Sequence, residues 1–210
     1  MTITGINGYL GSQTALQFLR DGSFRVRGTI RNSKSMKKLA PVKAAIGKDF
    51  DDLEIVEAEM LDEDSVARCI EGSTYVVHHA SPFYFDNATR EEMVRPAVDG
   101  TLYVMKACTA NNVKRIVVTS SISAIANPAK ENMPKNGIFD ESHWSDPDRP
   151  EGMADYTLSK TLAEKAAWDY QASQSNPFEM VMINPVFIMG PSIAFGGGTS
   201  ERVVECLLTN

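Results

Sequence analysis

The sequence predicts an α/β fold, a doubly wound parallel sheet, on three observations. Strand-like apolar runs at residues 1–4, 25–30, 53–57, 75–78, 115–119 and 179–183 alternate with helix-like segments, the rhythm of a parallel sheet covered by helices on both faces. The first run passes directly into Thr4-Gly5-Ile6-Asn7-Gly8-Tyr9-Leu10-Gly11-Ser12, whose three glycines are three residues apart. The chain of 210 residues is long enough for one well-buried core and is not obviously two domains.

Taken in order, the first strand and glycine turn open a helix with Leu10, Ala15, Leu16 and Leu19 at helical spacing. Such a turn aims free backbone N–H groups and the positive end of the helix dipole at one spot, which suits a pyrophosphate. Gly5 serves a tight turn, Gly8 the approach of phosphates and Gly11 close packing of helix on strand. The plain alternative is a strand-to-helix connection with no ligand. The second strand ends at Arg31, 20 residues after Gly11. An acid near this point grips a ribose 2′-OH, whereas an arginine accommodates a 2′-phosphate. Arg31, followed by Lys34, Lys37 and Lys38, therefore favours NADP over NAD; the plain reading is a solvated basic helix start.

Between the fourth and fifth strands, Val94, Val98, Leu102, Met105 and Thr109 recur at helical spacing and are expected to face the sheet. Pro96 is expected near the first turn of that helix, where proline is tolerated. The fifth strand runs into Thr119-Ser120-Ser121, so hydroxyls arrive at a strand's carboxyl end, where ligands of such folds bind. Residues 125–155 break the rhythm with Pro128, Pro134, Pro147 and Pro150, a long loop expected at the rim of a site. The helix at 155–172 is expected to place Leu162, Ala163, Ala166 and Tyr170 on one side.

Tyr156 and Lys160 stand four apart at the start of that helix, and so on one face. A phenol, ordinarily titrating near ~10, is a poor acid-base group near neutrality. A nearby ammonium stabilises the phenolate and brings it within range. Most such pairs on helices are surface coincidences; the conjunction with the glycine turn and the hydroxyls carries the weight. His79, which follows a buried strand, is read as a satisfied structural histidine.

Composition removes other classes. Hydrophobic content of 43% and charged content of 23% are those of a folded water-soluble domain. A net charge of −6 argues against a nucleic-acid surface. Cys69, Cys108 and Cys206 have no metal spacing and cannot all pair, so no metal is expected and a cytoplasmic location is favoured over secretion. No apolar run approaches membrane-spanning length.

The glycine turn, Thr119-Ser120-Ser121, Tyr156-x-x-x-Lys160 and Asn184-Pro185-Val186-Phe187-Ile188-Met189-Gly190-Pro191 resemble, in order and spacing, the extended short-chain dehydrogenase/reductases. Within these the chain looks most like the dihydroflavonol 4-reductase and cinnamoyl-CoA reductase branch, through Arg31 with Lys38 seven later, the run from Val77 to Pro82, the run from Arg95 to Thr101, Asp140-Glu141-Ser142-His143-Trp144 and Ser159-Lys160-Thr161-Leu162-Ala163-Glu164. The resemblance implies a Rossmann-type NAD(P)-binding fold, with Ser121 holding a substrate carbonyl, Tyr156 as proton donor and Lys160 as its activator. It implies NADP(H) contacts from Gly5, Gly8, Tyr9, Leu10, Gly11, Arg31, Lys38, Ala80, Ser81, Tyr156, Lys160, Pro185, Ile188 and Ser200. Glu59 and Met60 stand where these reductases have Asp-Leu beside the adenine.

The implied reaction is NADPH-dependent reduction of a ketone or aldehyde to an alcohol, acting on a small-molecule carbonyl substrate as monomer or homodimer. The chain lacks the Asn-Trp-Tyr run of cinnamoyl-CoA reductases before the lysine, having Ala154-Asp155-Tyr156 instead, which disfavours that substrate. Residues 1–184 are expected to form the NADP-binding domain and 185–210 the start of an incomplete substrate-binding region, the C-terminal lobe being truncated. Two alternatives stay open: a sugar-nucleotide epimerase or dehydratase of the same superfamily, and a catalytically silent NADP-binding regulatory protein.

Overall fold

The structure, a computed structural model, describes residues 1–81, 89–127, 132–148, 153–194 and 199–209, without the side chains of Ser33, Thr199, Ser200 and Arg202. Pro82, Pro128 and Pro150 and the side chain of Ser200 therefore lie outside the described residues.

Six strands form one sheet: β1 (Thr2–Thr4), β2 (Arg27–Ile30), β3 (Glu54–Glu57), β4 (Tyr75–His78), β5 (Arg115–Thr119) and β6 (Glu179–Ile183). Their spatial order is β3-β2-β1-β4-β5-β6 and every pairing is parallel. All six lie where the apolar runs put them. The chain winds one way from β1 to β3 and the other way from β4 to β6, so the direction of winding reverses between β1 and β4. A crevice opens there at the carboxyl ends of the strands.

Helices cover both faces. On one, α1 (Tyr9–Asp21) and α2 (Ala40–Ile46) pack Ala15, Leu16, Leu19, Val42 and Ile46 against Ile3, Val26 and Ile30. On the other, α3 (Glu63–Ile70), α4 (Arg90–Ala110) and α5 (Asp155–Ser173) bury Val66, Ile70, Val104, Met105, Cys108 and Ala167 against Val76, Ile116 and Val118. Three-residue-per-turn segments at Ser33–Leu39, Gly47–Asp52 and Ile122–Ala124 complete the connections, and α6 (Thr199–Thr209) ends the chain.

Two helix readings need correction. Helix α4 begins at Arg90, not near Pro96: the Thr89 side chain accepts from the Glu92 amide while Glu92 Oε2 accepts from the Thr89 amide, a capping box that outweighs the proline nearly two turns further in. Its deeply buried stripe is Ala97, Gly100, Val104, Met105, Ala107 and Cys108, so of the five residues expected to face the sheet only Met105 is fully buried. Small residues take that stripe because the backbone must come close: a Cβ on Gly100 would stand 3.3 Å from the Met60 carbonyl oxygen. In α5 the buried residues are Leu158, Ser159, Thr161, Ala163, Glu164 and Ala167, with Leu162, Ala166 and Tyr170 only half-buried.

A nucleotide cleft and a Tyr-Lys pair

The glycine turn is built from the backbone outward. Gly5 takes a φ of +74°, the left-handed region that glycine enters freely. Its amide donates to Thr29 Oγ1 at 3.0 Å, and the next amide, Ile6, to the Thr29 carbonyl at 3.0 Å, so β2 fixes where β1 turns. Gly11 is required by space, since a Cβ there would lie 2.3 Å from Gly5 O. Gly8 is the N-cap of α1 and supplies no side-chain cap, and no acid occupies the first turn. The first amides of α1 therefore present their donors and the positive dipole end to the crevice, an anion site in waiting.

That crevice is an open cleft of about 690 Å³, lined by Gly5, Gly8, Tyr9, Leu10, Gly11, Arg31, Lys38, Glu59, Met60, Ala80 and Ser81. Eleven of the residues expected at a coenzyme thus share one cleft. Arg31, Lys34 and Lys38 bring positive charge to the end remote from the strands' switch point, where Arg31 Nε stands 3.9 Å from Glu59 Oε2. Residues that periodicity did not single out also line it, among them Asn7, Thr29, Asn32 and Ser35.

The other end leads to α5. Ser81, on the cleft wall, accepts a 3.3 Å hydrogen bond from Lys160 Nζ, and the same ammonium stands 5.8 Å from the centroid of the Tyr156 ring. Burial pushes Lys160 down to about 8 from its ordinary 10.5, with Glu164 acting in the opposite direction. Arg90 of α4 donates to Asp155 Oδ1 at 2.6 Å, so the start of α5 is tied to the start of α4. Ser121 caps the short turn Ile122–Ala124, its Oγ accepting from the Ser123 amide at 3.2 Å, and this turn packs against α5.

The long loop is anchored here: the fully buried Ser145 donates to the Ser123 carbonyl at 2.7 Å and accepts from the Asn127 amide at 2.9 Å. Pro185 and Ile188 are not among the cleft-lining residues; Pro185 O accepts from the Ile122 amide at 3.0 Å. Tyr9 lines the cleft, and its hydroxyl donates to the Gly190 carbonyl at 2.8 Å. Beside it Gln13 donates to the Pro191 carbonyl at 2.8 Å, so the segment after β6 lies over the start of α1.

Two histidines at the end of β4 have their tautomers set by donor counting. Thr4 Oγ1 accepts from the amides of His79 at 3.0 Å and Ala80 at 2.9 Å, so its hydroxyl proton goes to His78 Nδ1 at 2.9 Å, leaving the ring proton on Nε2. Thr14 donates to the Leu10 carbonyl and hence accepts from His79 Nε2 at 2.9 Å, while Thr119 donates to His79 Nδ1 at 2.8 Å. Burial lowers both, His78 to about 3 and His79 to about 4. His79 is thus a neutral, doubly bonded structural residue, as read from its place after a buried strand.

The model of the NAD dependent epimerase/dehydratase family matches residues 1–210. The chain belongs to this family. Within the family it is related to plant reductases of the dihydroflavonol and cinnamoyl-CoA type. It is 35% identical over 209 residues to cinnamoyl-CoA reductase CAD2 of Medicago truncatula, covering 98% of this chain and 63% of that protein. It is also 35% identical to dihydroflavonol 4-reductase of Hordeum vulgare, covering 100% of this chain and 58% of that one. Yeast methylglyoxal/isovaleraldehyde reductase Gre2, solved in complex with NADPH, superposes with a TM-score of 0.82 at 26% identity over 99% of this chain and 65% of its own. The chain thus spans less than two thirds of the length of each of these relatives.

Among the described residues no group of acids, histidines and cysteines could hold a metal ion, and no helix is long and apolar enough to cross a membrane. The cleft fits the dinucleotide of this family by its own features: an uncapped helix N-terminus, a glycine cradle that a Cβ would fill, and an arginine at the far end.

Proposed function

We propose that this chain is the coenzyme-binding part of an NADPH-dependent carbonyl reductase, converting a ketone or aldehyde to an alcohol. The observation that carries this is the position of Lys160, whose ammonium meets Ser81 on the cleft wall and the Tyr156 ring on its own helix. The reductase names of the relatives point the same way.

The first amides of α1 would hold the pyrophosphate, Gly8 leaving it room. Arg31 and Lys38 would take the 2′-phosphate, which favours NADP over the NAD of the family's name. Glu59, Met60 and Ala80 would line the adenosine side, with Ser81 and Lys160 toward the nicotinamide ribose, and Pro185, Ile188 and Ser200 closing over the coenzyme. Bound NADPH supplies a hydride to the carbonyl carbon.

The chain's own task is the oxygen. Ser121 Oγ donates a hydrogen bond to it, fixing the carbonyl and sharing the charge that develops. Tyr156 then gives its phenolic proton to that oxygen, and the charge left on the phenolate is met by the Lys160 ammonium. Residues 1–184 form the coenzyme domain in this reading, and 185–210 open the substrate-binding region.

The test is a panel of aldehydes and ketones incubated with the full chain and NADPH, with coenzyme oxidation and alcohol formation both measured. Equal amounts of NADP and alcohol for at least one carbonyl support the reading. Binding of NADPH without turnover on any member would favour a silent binding protein, and sugar-nucleotide conversion without net coenzyme oxidation an epimerase.

A further inference from the structure

Beneath Lys160 the structure has a small pocket, continuous with the cleft at Met60, Ala80 and Ser81, that the reaction scheme above leaves unused. Ser120, Lys160, Glu164 and His78 line its space of about 20 Å³ together with apolar neighbours such as Met60 and Val118. That volume holds one water molecule. Ser120 is 8% exposed and its Oγ has no hydrogen-bond partner among the described residues. A buried hydroxyl left so bears the cost of its lost hydration, which a water relieves.

Glu164 is the other anomaly. Acids are almost never fully buried without a partner, yet this one is 6% exposed on α5, one turn beyond Lys160. Its Oε2 accepts from Asn184 Nδ2 at 2.8 Å, and the same nitrogen donates to the Ser121 carbonyl at 3.1 Å. The carboxylate is therefore clamped to the segment that carries Ser121. Lys160 donates to Ser81 and not directly to Glu164, although the two line one pocket. An ammonium has three donors, so it has protons to offer a water there.

We propose that Glu164 is a positioning residue for Lys160: a buried counter-charge, held by Asn184 and linked to the ammonium through one water that also bonds Ser120. It acts on Lys160 alone, keeping the ammonium protonated and aimed while Tyr156 gives up its proton, and so it rests on the reading of Tyr156 and Lys160 given above. The direction in which Glu164 moves Lys160 agrees. The other titratable groups near Lys160 are Tyr156 on α5 and the neutral His78 at the end of β4; the polar lining residues from α4 and from the end of β5 onward, Thr101, Thr119 and Ser120, carry no charge.

The experiment is a ¹⁵N NMR titration of lysine-labelled full chain, with Lys160 assigned by its absence in Lys160→Met, in the native protein, Glu164→Gln and Ser120→Ala. The Lys160 midpoint is expected to move to lower pH in Glu164→Gln and in the same direction by less in Ser120→Ala. With an accepted carbonyl substrate, Glu164→Gln is expected to shift the alkaline limb of kcat to lower pH and to lower kcat at pH 8 roughly tenfold, the effect of losing one nearby opposite charge. The KM for NADPH should change less than about twofold, since the variant leaves the ribose contact in place.

An unmoved Lys160 midpoint in a Glu164→Gln protein of native circular dichroism overturns the proposal, and an unmoved midpoint in Ser120→Ala overturns its water link. If no carbonyl is reduced but the midpoint still moves, the reductase reading fails while the hold of Glu164 on Lys160 stands.

Discussion

Arg31 Nε lies 3.9 Å from Glu59 Oε2 at the far end of the cleft, with the arginine side chain 65% exposed and the glutamate 48%. An ion pair so open to water holds little energy, so the guanidinium is available to a better anion. A phosphate monoester with nearly two charges and a matching geometry is one. Hydrogen bonds to charged groups contribute roughly 1.5–3 kcal/mol, so the native protein should prefer NADPH over NADH by about ten- to hundredfold. Arg31→Asp should invert the preference, because the carboxylate repels the phosphate and can accept from ribose hydroxyls. Glu59→Gln should raise NADPH affinity modestly by removing a competing charge. The measurement is calorimetric affinity for both coenzymes at fixed salt; native preference for NADH would remove the NADP assignment.

Gly8 and Gly11 separate binding from folding. At Gly8 the φ of −87° suits any residue, but a Cβ would stand 3.3 Å from Gly5 O, so the turn must give by a few tenths of an ångström. Gly8→Val should therefore stay folded with a modestly lowered melting temperature yet lose NADPH binding, its branched carbons blocking the phosphate path. Gly11→Ala forces a carbon to within 2.3 Å of Gly5 O and should cost stability at or above the upper end of the about 1–3 kcal/mol typical of overpacking. Urea unfolding beside NADPH titration checks both, and a Gly8→Val protein with native affinity would place the nucleotide elsewhere.

Much of this was legible because it is local. Strand runs, the strand-glycine-helix passage and Tyr156 with Lys160 four later are all set by neighbours in the chain, and the structure brings the cleft residues and Lys160 together accordingly. What stayed hidden depends on distant partners. Glu164 looks like an exposed helix acid until Asn184 and the sheet close over it. Thr4 reads as the last residue of a strand, although its hydroxyl organises three groups at and just after the end of β4. The buried stripe of α4 escapes a reading by apolar periodicity, because Gly100 and Ala97 are buried for being small.

Lys160 should cost stability at neutral pH. Its folded value of about 8 lies below the ordinary 10.5, so the folded state disfavours the proton that the unfolded chain holds. The cost is fully present below pH 8 and is relieved as pH rises between about 8 and 10.5. Lys160→Met should accordingly be more stable at pH 7, by on the order of 3 kcal/mol, with the advantage fading toward pH 10.5. Denaturant unfolding at the two pH values tests this, and a variant less stable at pH 7 would contradict it.

The histidine pair should make the fold acid-sensitive. Both are held neutral, at about 3 for His78 and about 4 for His79 against an ordinary 6.5. Stability is then lost as pH falls below 6.5, by about 1.4 kcal/mol per pH unit for each histidine until its folded value is reached. His79→Gln should roughly halve that slope between pH 6 and 4.5. Unfolding midpoints across this range give the slope directly, and an unchanged slope in His79→Gln would exclude that residue as a source.

The most direct measurement of the central claim is the turnover and NADPH affinity of Tyr156→Phe, on a carbonyl that the native chain reduces. The ring that stands 5.8 Å from Lys160 Nζ remains, and only the proton donor is removed. General acid catalysis contributes about 10²–10⁴-fold, so kcat should fall by at least about two orders of magnitude while the calorimetric Kd for NADPH stays within about twofold. Wild-type turnover in Tyr156→Phe would contradict the account, because the proton would then come from another group.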